Sequence, residues 1–111
     1  MKDGKNLLKI IEEIRKFDSQ LEAQAIAIFF YVCLNEKTDG VAMQTLVKEL
    51  NIAQSSVSRN CYKLSEKNRF NKKGLDLIVC LRDPLERRRV LVKLSPKGKR
   101  VYKSLIELVI D

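Results

Sequence analysis

Histidine is absent from this 111-residue chain, and so is tryptophan. Without His the sequence lacks the commonest acid–base catalyst and the commonest metal ligand. No glycine-rich phosphate loop, Cys–His pair or paired-carboxylate arrangement takes its place, so neither enzymatic chemistry nor a cofactor or metal is expected. Glu12-Glu13 reads as the solvated face of an N-terminal helix. Cysteine is sparse, and Cys33, Cys61 and Cys80 are odd in number and widely spaced. That spacing excludes a disulfide framework and a zinc-type site. Each lies within or beside an apolar pattern and reads as a small buried hydrophobe. Redox sensing is the alternative, and Cys61, close to Arg59 and Lys63, is its best candidate. The apolar run from Ala25 to Leu34 is only ten residues long. A membrane span needs about 20, so the run is expected to be a buried core helix. Met1-Lys2-Asp3-Gly4-Lys5 leads into a charged amphipathic helix rather than a signal peptide. No cationic stretch carries the Trp/Phe face of an interfacial helix, so a cytoplasmic protein with no membrane partner is expected.

What the chain does hold is basic charge, unevenly placed. The net charge is +8, yet residues 1–50 carry 7 Lys/Arg against 8 Asp/Glu, and residues 51–111 carry 15 against 6. A half-chain this cationic is the electrostatic footprint expected of a protein that meets a polyanion. With 45% apolar residues, residues 1–111 suit a single domain with its own core. There is no internal repeat, linker or low-complexity segment.

The basic half opens on Gln54-Ser55-Ser56-Val57-Ser58-Arg59-Asn60-Cys61-Tyr62-Lys63-Leu64. Val57, Cys61 and Leu64 fall at i, i+4 and i+7 and make one apolar stripe of a helix. The opposite face carries Ser55, Ser58, Arg59, Tyr62 and Lys63, with Ser56 at its margin. Such side chains can bond phosphates or base edges, and arginine can fork onto guanine. Just upstream, Met43, Leu46, Val47 and Leu50 make a second stripe, and Asn51-Ile52-Ala53 is a tight connection. Two short helices joined this closely over about residues 43–67 form a helix-turn-helix, whose second helix (54–66) usually enters the major groove. An ordinary antiparallel helix pair with a wet outer face is the alternative at this point.

The remaining elements surround that unit. Helix one is expected over about 5–17, with Leu7, Ile11 and Ile14 on one face, widened by Leu8 and Ile10. Ser19 and Glu22 have capping-box spacing for helix two, which is apolar through Ile26, Ile28, Phe29, Phe30 and Val32 and should be central. Val41-Ala42 suits a short strand, and residues 66–74 a loop. Residues 75–82 and 89–94 read as two strands of a wing spanning about 75–94, with a charged tip at Asp83-Pro84-Leu85-Glu86-Arg87-Arg88. Ser95 as N-cap and Pro96 at the first helical position start a last helix, 96–110, with the stripe Val101, Leu105, Leu108. Arginine at a wing tip has a physical reason, because a narrow minor groove concentrates negative potential. A solvated hairpin tip is the alternative for Arg87, Arg88 and Arg89. The expected fold is therefore mainly α with a small β-hairpin (α+β), a winged helix-turn-helix in the order α-α-(β)-α-α-β-β-α.

The stretch from Asp83 to Lys99, DPLERRRVLVKLSPKGK, resembles the wing of MarR-type transcriptional regulators, which commonly read Asp-Pro-x-Asp-Arg-Arg, an alternating strand, then Leu-Thr-x-x-Gly. Leu50 to Arg59 is similar to that family's turn and recognition helix, and the resemblance covers about residues 20–103. It implies that Gln54, Ser55, Ser56, Ser58 and Arg59 face the major groove and that Arg88 enters the minor groove. Asp83 and Glu86 are then the wing-orienting acids, Glu86 taking the place of the aspartate that orients the arginine. Tyr62, Lys63, Arg82, Arg87 and Arg89 complete the expected DNA contacts. The chain departs from the pattern in three ways. Glu86 is a methylene longer than the usual acid, Ala53 stands where a Ser or Thr cap is common, and the terminal helices are short.

These readings converge on a sequence-specific regulator of transcription, a repressor, bound to a palindromic double-stranded DNA site. The alternatives are a replication or architectural DNA-binding protein of a phage or plasmid, and a winged helix used for protein interaction. A homodimer is expected through Leu8, Ile10, Tyr102, Ile106, Val109 and Ile110, which are apolar beyond what one packing face needs. Nothing in the sequence specifies a small-molecule effector.

Overall fold

The computed structural model describes residues 2–66 and 73–109. In chain order its elements are α1 (Lys2–Arg15), α2 (Ala23–Leu34), β1 (Val41–Ala42), α3 (Met43–Leu50), α4 (Gln54–Leu64), β2 (Ile78–Arg82), β3 (Val90–Leu94) and α5 (Pro96–Glu107). The expected winged helix-turn-helix order is the observed one. Ile110 and the 67–72 part of the expected loop lie outside the described residues.

The core forms where the apolar stripes converge. Ala25, Ile28, Phe29, Val32 and Cys33 of α2 pack with Leu46 of α3, Val57, Cys61 and Leu64 of α4, and Val92 and Leu94 of β3. Helix α2 is therefore the central helix. The three strands form an antiparallel sheet in the order β1-β3-β2. Its register pairs Val41 with Val92 and Cys80 with Val92 across the two sides of β3, so β3 is the middle strand. Period-two alternation turns Val92 and Leu94 into the core, and Leu91 and Lys93 to the other face.

Three local findings shape the site. Asn51 closes α3 in the left-handed region at φ 52°, where asparagine is tolerated better than most residues, and Ile52 N–H returns to Val47 O at 3.2 Å. That turn redirects the chain into α4 within three residues. Ala53 is the N-cap of α4 and offers no side-chain acceptor, so this helix start lacks the side-chain bond that Ser or Thr would make. Ser95 caps α5 as expected. Its Oγ accepts from Gly98 N–H at 2.8 Å and donates to Asp76 O at 2.7 Å, tying α5 to the approach of β2.

Two expectations need correction. The Ser19–Glu22 capping box does not form, and α2 begins at Ala23 with Glu22 itself at the N-cap position, making no side-chain cap bond. The reason lies at Asp18, whose Oδ1 accepts Gln20 N–H at 2.9 Å and closes a separate turn, delaying the helix. The apolar stripe of α1 is also not core. Ile14 is buried and Ile10 partly so, but Leu7 (61% exposed), Leu8 (58%) and Ile11 (47%) lie outside the packed body. On α5 and the turn that follows it, Leu105 is buried and Val101, Tyr102 and Leu108 pack on the core, while Ile106 and Val109 are exposed.

Candidate nucleic-acid interface

Helix α4 is held by its inner stripe, and that fixes which side chains look outward. Because Val57, Cys61 and Leu64 are fully buried, Ser55, Arg59 and Tyr62, also spaced i, i+4, i+7, form the exposed ridge, with Gln54 exposed at the helix start. Ser56, Ser58 and Lys63 are half-buried on the flanks. The expected groove-facing set thus divides into a ridge and two margins. Ser55 forms no hydrogen bond with other described side chains, and Gln54 Oε1 accepts from Gln44 Nε2 of α3 at 3.1 Å. That bond links the two helices of the helix-turn-helix on their solvent side.

One flank of α4 meets residues 18–24, a neighbour that no sequence spacing indicated. Arg59 Nη2 lies 3.1 Å from Glu22 Oε2, and Lys63 Nζ lies 3.1 Å from Asp18 Oδ2. Between them Asn60, 1% exposed, donates from Nδ2 to Ser56 O at 3.0 Å and to Gln24 Oε1 at 3.4 Å. Its Oδ1 has no hydrogen-bond donor among the described residues. The Gln20 N–H bond holds the Asp18 carboxyl below its usual range against the opposing effect of burial, with Lys63 adding to the lowering. Both cations of α4 are therefore engaged by acids that precede α2. Asp18, Glu22, Gln24, Gln44 and Asn60 were missing from the expected site. Only the buried polar Asn60 carried a hint, as a polar residue on the margin of an apolar stripe.

The other flank of α4 meets the wing. Cys61 neighbours Cys80 of β2 closely enough for the two thiols to perturb each other, and Tyr62 lines a groove with Ser65, Ile78, Val79 and Cys80. The wing therefore springs from directly beside α4. Its tip is built mostly by backbone. Asp83 N–H donates to Arg89 O at 2.8 Å, Arg89 N–H to Glu86 O at 2.9 Å, and the Arg82 guanidinium to Arg87 O at 2.9 Å. Asp83 adds an acceptor for Leu85 N–H at 2.9 Å and an ion pair with Arg89 at 3.9 Å. Glu86 enters through its carbonyl, and its carboxylate forms no ion pair among the described residues. Arg87 and Arg88 are exposed at the tip, their guanidinium groups without a side-chain partner among the described residues, and Leu85 beside them is 96% exposed.

Of the residues expected at a dimer interface, Leu8, Ile106 and Val109 are exposed, while Ile10 and Tyr102 are partly used by this chain's own core. Between α1 and α5 a cleft of about 370 Å³ is lined by Glu13, Phe17, Lys97, Arg100, Val101 and Leu108, among others. Lys97 crosses its rim, donating to Leu75 O at 3.0 Å with Nζ 5.4 Å from the Phe17 ring centre. Among the described residues no group of His, Cys, Asp and Glu is placed to hold a metal ion, and no helix is long and apolar enough to cross a membrane.

No protein-family model and no curated protein sequence matches the chain. Solved structures do match it in fold. MepR, the transcription regulator of the Staphylococcus aureus multidrug efflux pump MepA, is 17% identical with a TM-score of 0.69 over 96% of this chain and 70% of its own. A MarR-family transcriptional regulator from Rhodococcus sp. RHA1 is 18% identical with a TM-score of 0.66, over 96% of this chain and 66% of its own. CouR from Rhodococcus jostii RHA1, solved with p-coumaroyl-CoA bound, is 18% identical with a TM-score of 0.64 and the same coverage. This chain spans about two thirds of the length of these proteins. The agreement is one of fold: the chain has the winged helix-turn-helix fold of the MarR-type transcriptional regulators.

Proposed function

We propose that this protein is a DNA-binding transcriptional regulator that reads duplex DNA with α4 and grips the flanking backbone or minor groove with its wing. The observation that carries this reading is the sidedness of α4. Its apolar stripe is wholly buried, so the hydroxyl, amide and guanidinium groups of Gln54, Ser55 and Arg59 are presented outward at one helix face. A helix of this kind fits the major groove, where such groups match base edges. Arg87, Arg88 and Arg89 stand on the adjoining hairpin, and most of the basic charge lies from residue 51 onward, which supports several phosphate contacts. Repression would follow from occupying a promoter, with a homodimer placing two α4 helices on the two halves of a palindrome. Exposed Leu7, Leu8 and Ile11 of α1, with Ile106 of α5 and Val109 just beyond it, supply the apolar surface for that pairing.

The test is the salt dependence of duplex binding by fluorescence anisotropy. Each phosphate neutralised contributes about −0.9 to the slope of log affinity against log salt, so a wing and a helix acting together predict a slope of about −4 or steeper. A slope near zero would remove nucleic acid as the partner.

A further inference from the structure

We infer that Glu22 is a positioning residue for Arg59, fixing its guanidinium so that it reads one base rather than gripping any phosphate; this rests on the DNA-binding reading above. The geometry is a single-point hold, with Arg59 Nη2 3.1 Å from Glu22 Oε2. Each Nη2 hydrogen belongs to a different two-donor edge of the guanidinium. Whichever one Glu22 accepts, the other edge stays complete, and a complete edge is what guanine O6 and N7 require. Both side chains are 48% exposed, and a solvated pair of this kind adds little to folding stability. Its consequence is orientation, because a free arginine loses much rotamer freedom on binding and a held one has lost part of it already.

Glu22 is placed for this task by its surroundings. It occupies the N-cap position of α2, where its carbonyl accepts Ile26 N–H at 3.2 Å but its side chain makes no cap bond, which leaves the carboxylate free to reach across. The positive end of the α2 dipole favours its charge. Asn60, buried next to Arg59 and bonded to Gln24 of α2, fixes the register of α4 against the helix that carries Glu22. One turn further along, Lys63 meets Asp18 at 3.1 Å, a second contact of the same sense. A buried polar contact that sets register is a well-attested use of such groups. The polar seam of residues 18–24 against 56–63 thus presents α4 with its arginine already aimed.

Charge adds a second effect of the same carboxylate. An acid beside Arg59 cancels its attraction for phosphate, so Glu22 weakens binding to every duplex alike through the backbone term. It therefore trades general affinity for preference. A guanine that offers two acceptors to the aimed edge recovers the loss, and an unmatched base does not.

The experiment measures binding of wild type, E22Q, R59A and the double variant to two duplexes. One is the duplex that wild type selects from a random-sequence pool, and the other is a scramble of equal composition. E22Q is expected to bind the scramble about threefold more tightly and to lose about tenfold in preference for the selected duplex, with an unchanged melting temperature. In the R59A background, E22Q should leave the preference unchanged, because there is no guanidinium left to aim. If E22Q strengthens both duplexes equally, Glu22 is only a counter-charge and the inference fails. A preference change that persists without Arg59 overturns it as well. If wild type shows no salt-dependent binding to either duplex, the DNA-binding reading itself falls, a distinct result from a neutral E22Q.

Discussion

Replacing Gly98 with alanine should destabilise the protein, although alanine is the better helix former. In an open helix the exchange would favour folding by about 1 kcal/mol. Here the first turn of α5 lies directly on the chain entering β2, and a Cβ at position 98 would sit 1.9 Å from Leu77 O and 2.9 Å from Leu77 C. Ordinary contact begins at 3.4 Å, so helix and strand would have to part by about 1.5 Å. Backbone atoms cannot swing aside as a flexible side chain can. The displacement falls on Ser95 N–H to Leu77 O (3.1 Å), Ser95 Oγ to Asp76 O (2.7 Å) and the cap bond from Gly98 N–H (2.8 Å). Overpacking of this kind typically costs about 1–3 kcal/mol, and a lost N-cap about 1 more. Net of the helix gain, G98A should lose about 1–3 kcal/mol, a fall in melting temperature on the order of 10 °C for a domain of this size. Thermal unfolding followed by circular dichroism reads it directly. An unchanged or raised melting temperature would mean that α5 does not approach Leu77 this closely, and that its glycine has another purpose.

Three further outcomes follow from the same geometry. R88A should weaken binding to selected and scrambled duplexes by similar factors and flatten the salt slope by about one, whereas R59A should cost about 1–3 kcal/mol on the selected duplex and far less on the scramble. Equal losses for both variants on all sequences would refute that division between helix and wing. Sedimentation at micromolar concentration should show a dimer, and the I106E/V109E double variant should run as a monomer with weakened DNA binding. A wild type at 12.8 kDa, bound by DNA no better than the variant, would contradict the dimer. Cys80 should be the fast thiol of the native protein, because it borders an open groove and the neighbouring Cys61 thiol holds its pKa below the usual thiol value. That same pairing, with burial, pushes the Cys61 thiol up, and burial pushes Cys33 up to about 12. A thiol reagent at pH 8 should therefore modify one cysteine quickly and the other two only on unfolding, and C80S should abolish the fast phase.

Much of this was legible in residue spacing. The stripe Val57-Cys61-Leu64 is fully buried as its i, i+4, i+7 pattern required, and Ser95-Pro96 starts α5 with the cap bond that the residue types suggest. Such features are local, set by helical geometry or by one side chain and the next turn of backbone. What escaped is either competitive or long-range. Ser19 and Glu22 have the right spacing for a capping box, but Asp18 takes the turn first, and spacing alone does not rank rival acceptors. The stripe on α1 shows that Leu7 and Ile11 want cover without saying that this chain supplies it only at Ile14. The pairs Glu22–Arg59 and Asp18–Lys63 join segments with no shared periodicity, and only the packing of α2 on α4 brings them together. For that reason Lys63 stands on a flank of α4 rather than on the outward ridge that its spacing suggested, while Ser56 stands at the margin as expected.

The most direct test of the central claim is selection of bound sequences from a pool of random duplex DNA by the purified protein. A regulator that reads one base set with each of two α4 helices should enrich a palindrome. Its half-site centres should lie about one helical turn, 10–10.5 base pairs, apart. A guanine should recur in each half-site where Arg59 reaches, and A·T-rich flanks where the wing arginines lie. A pool that emerges with no enriched sequence would contradict the account.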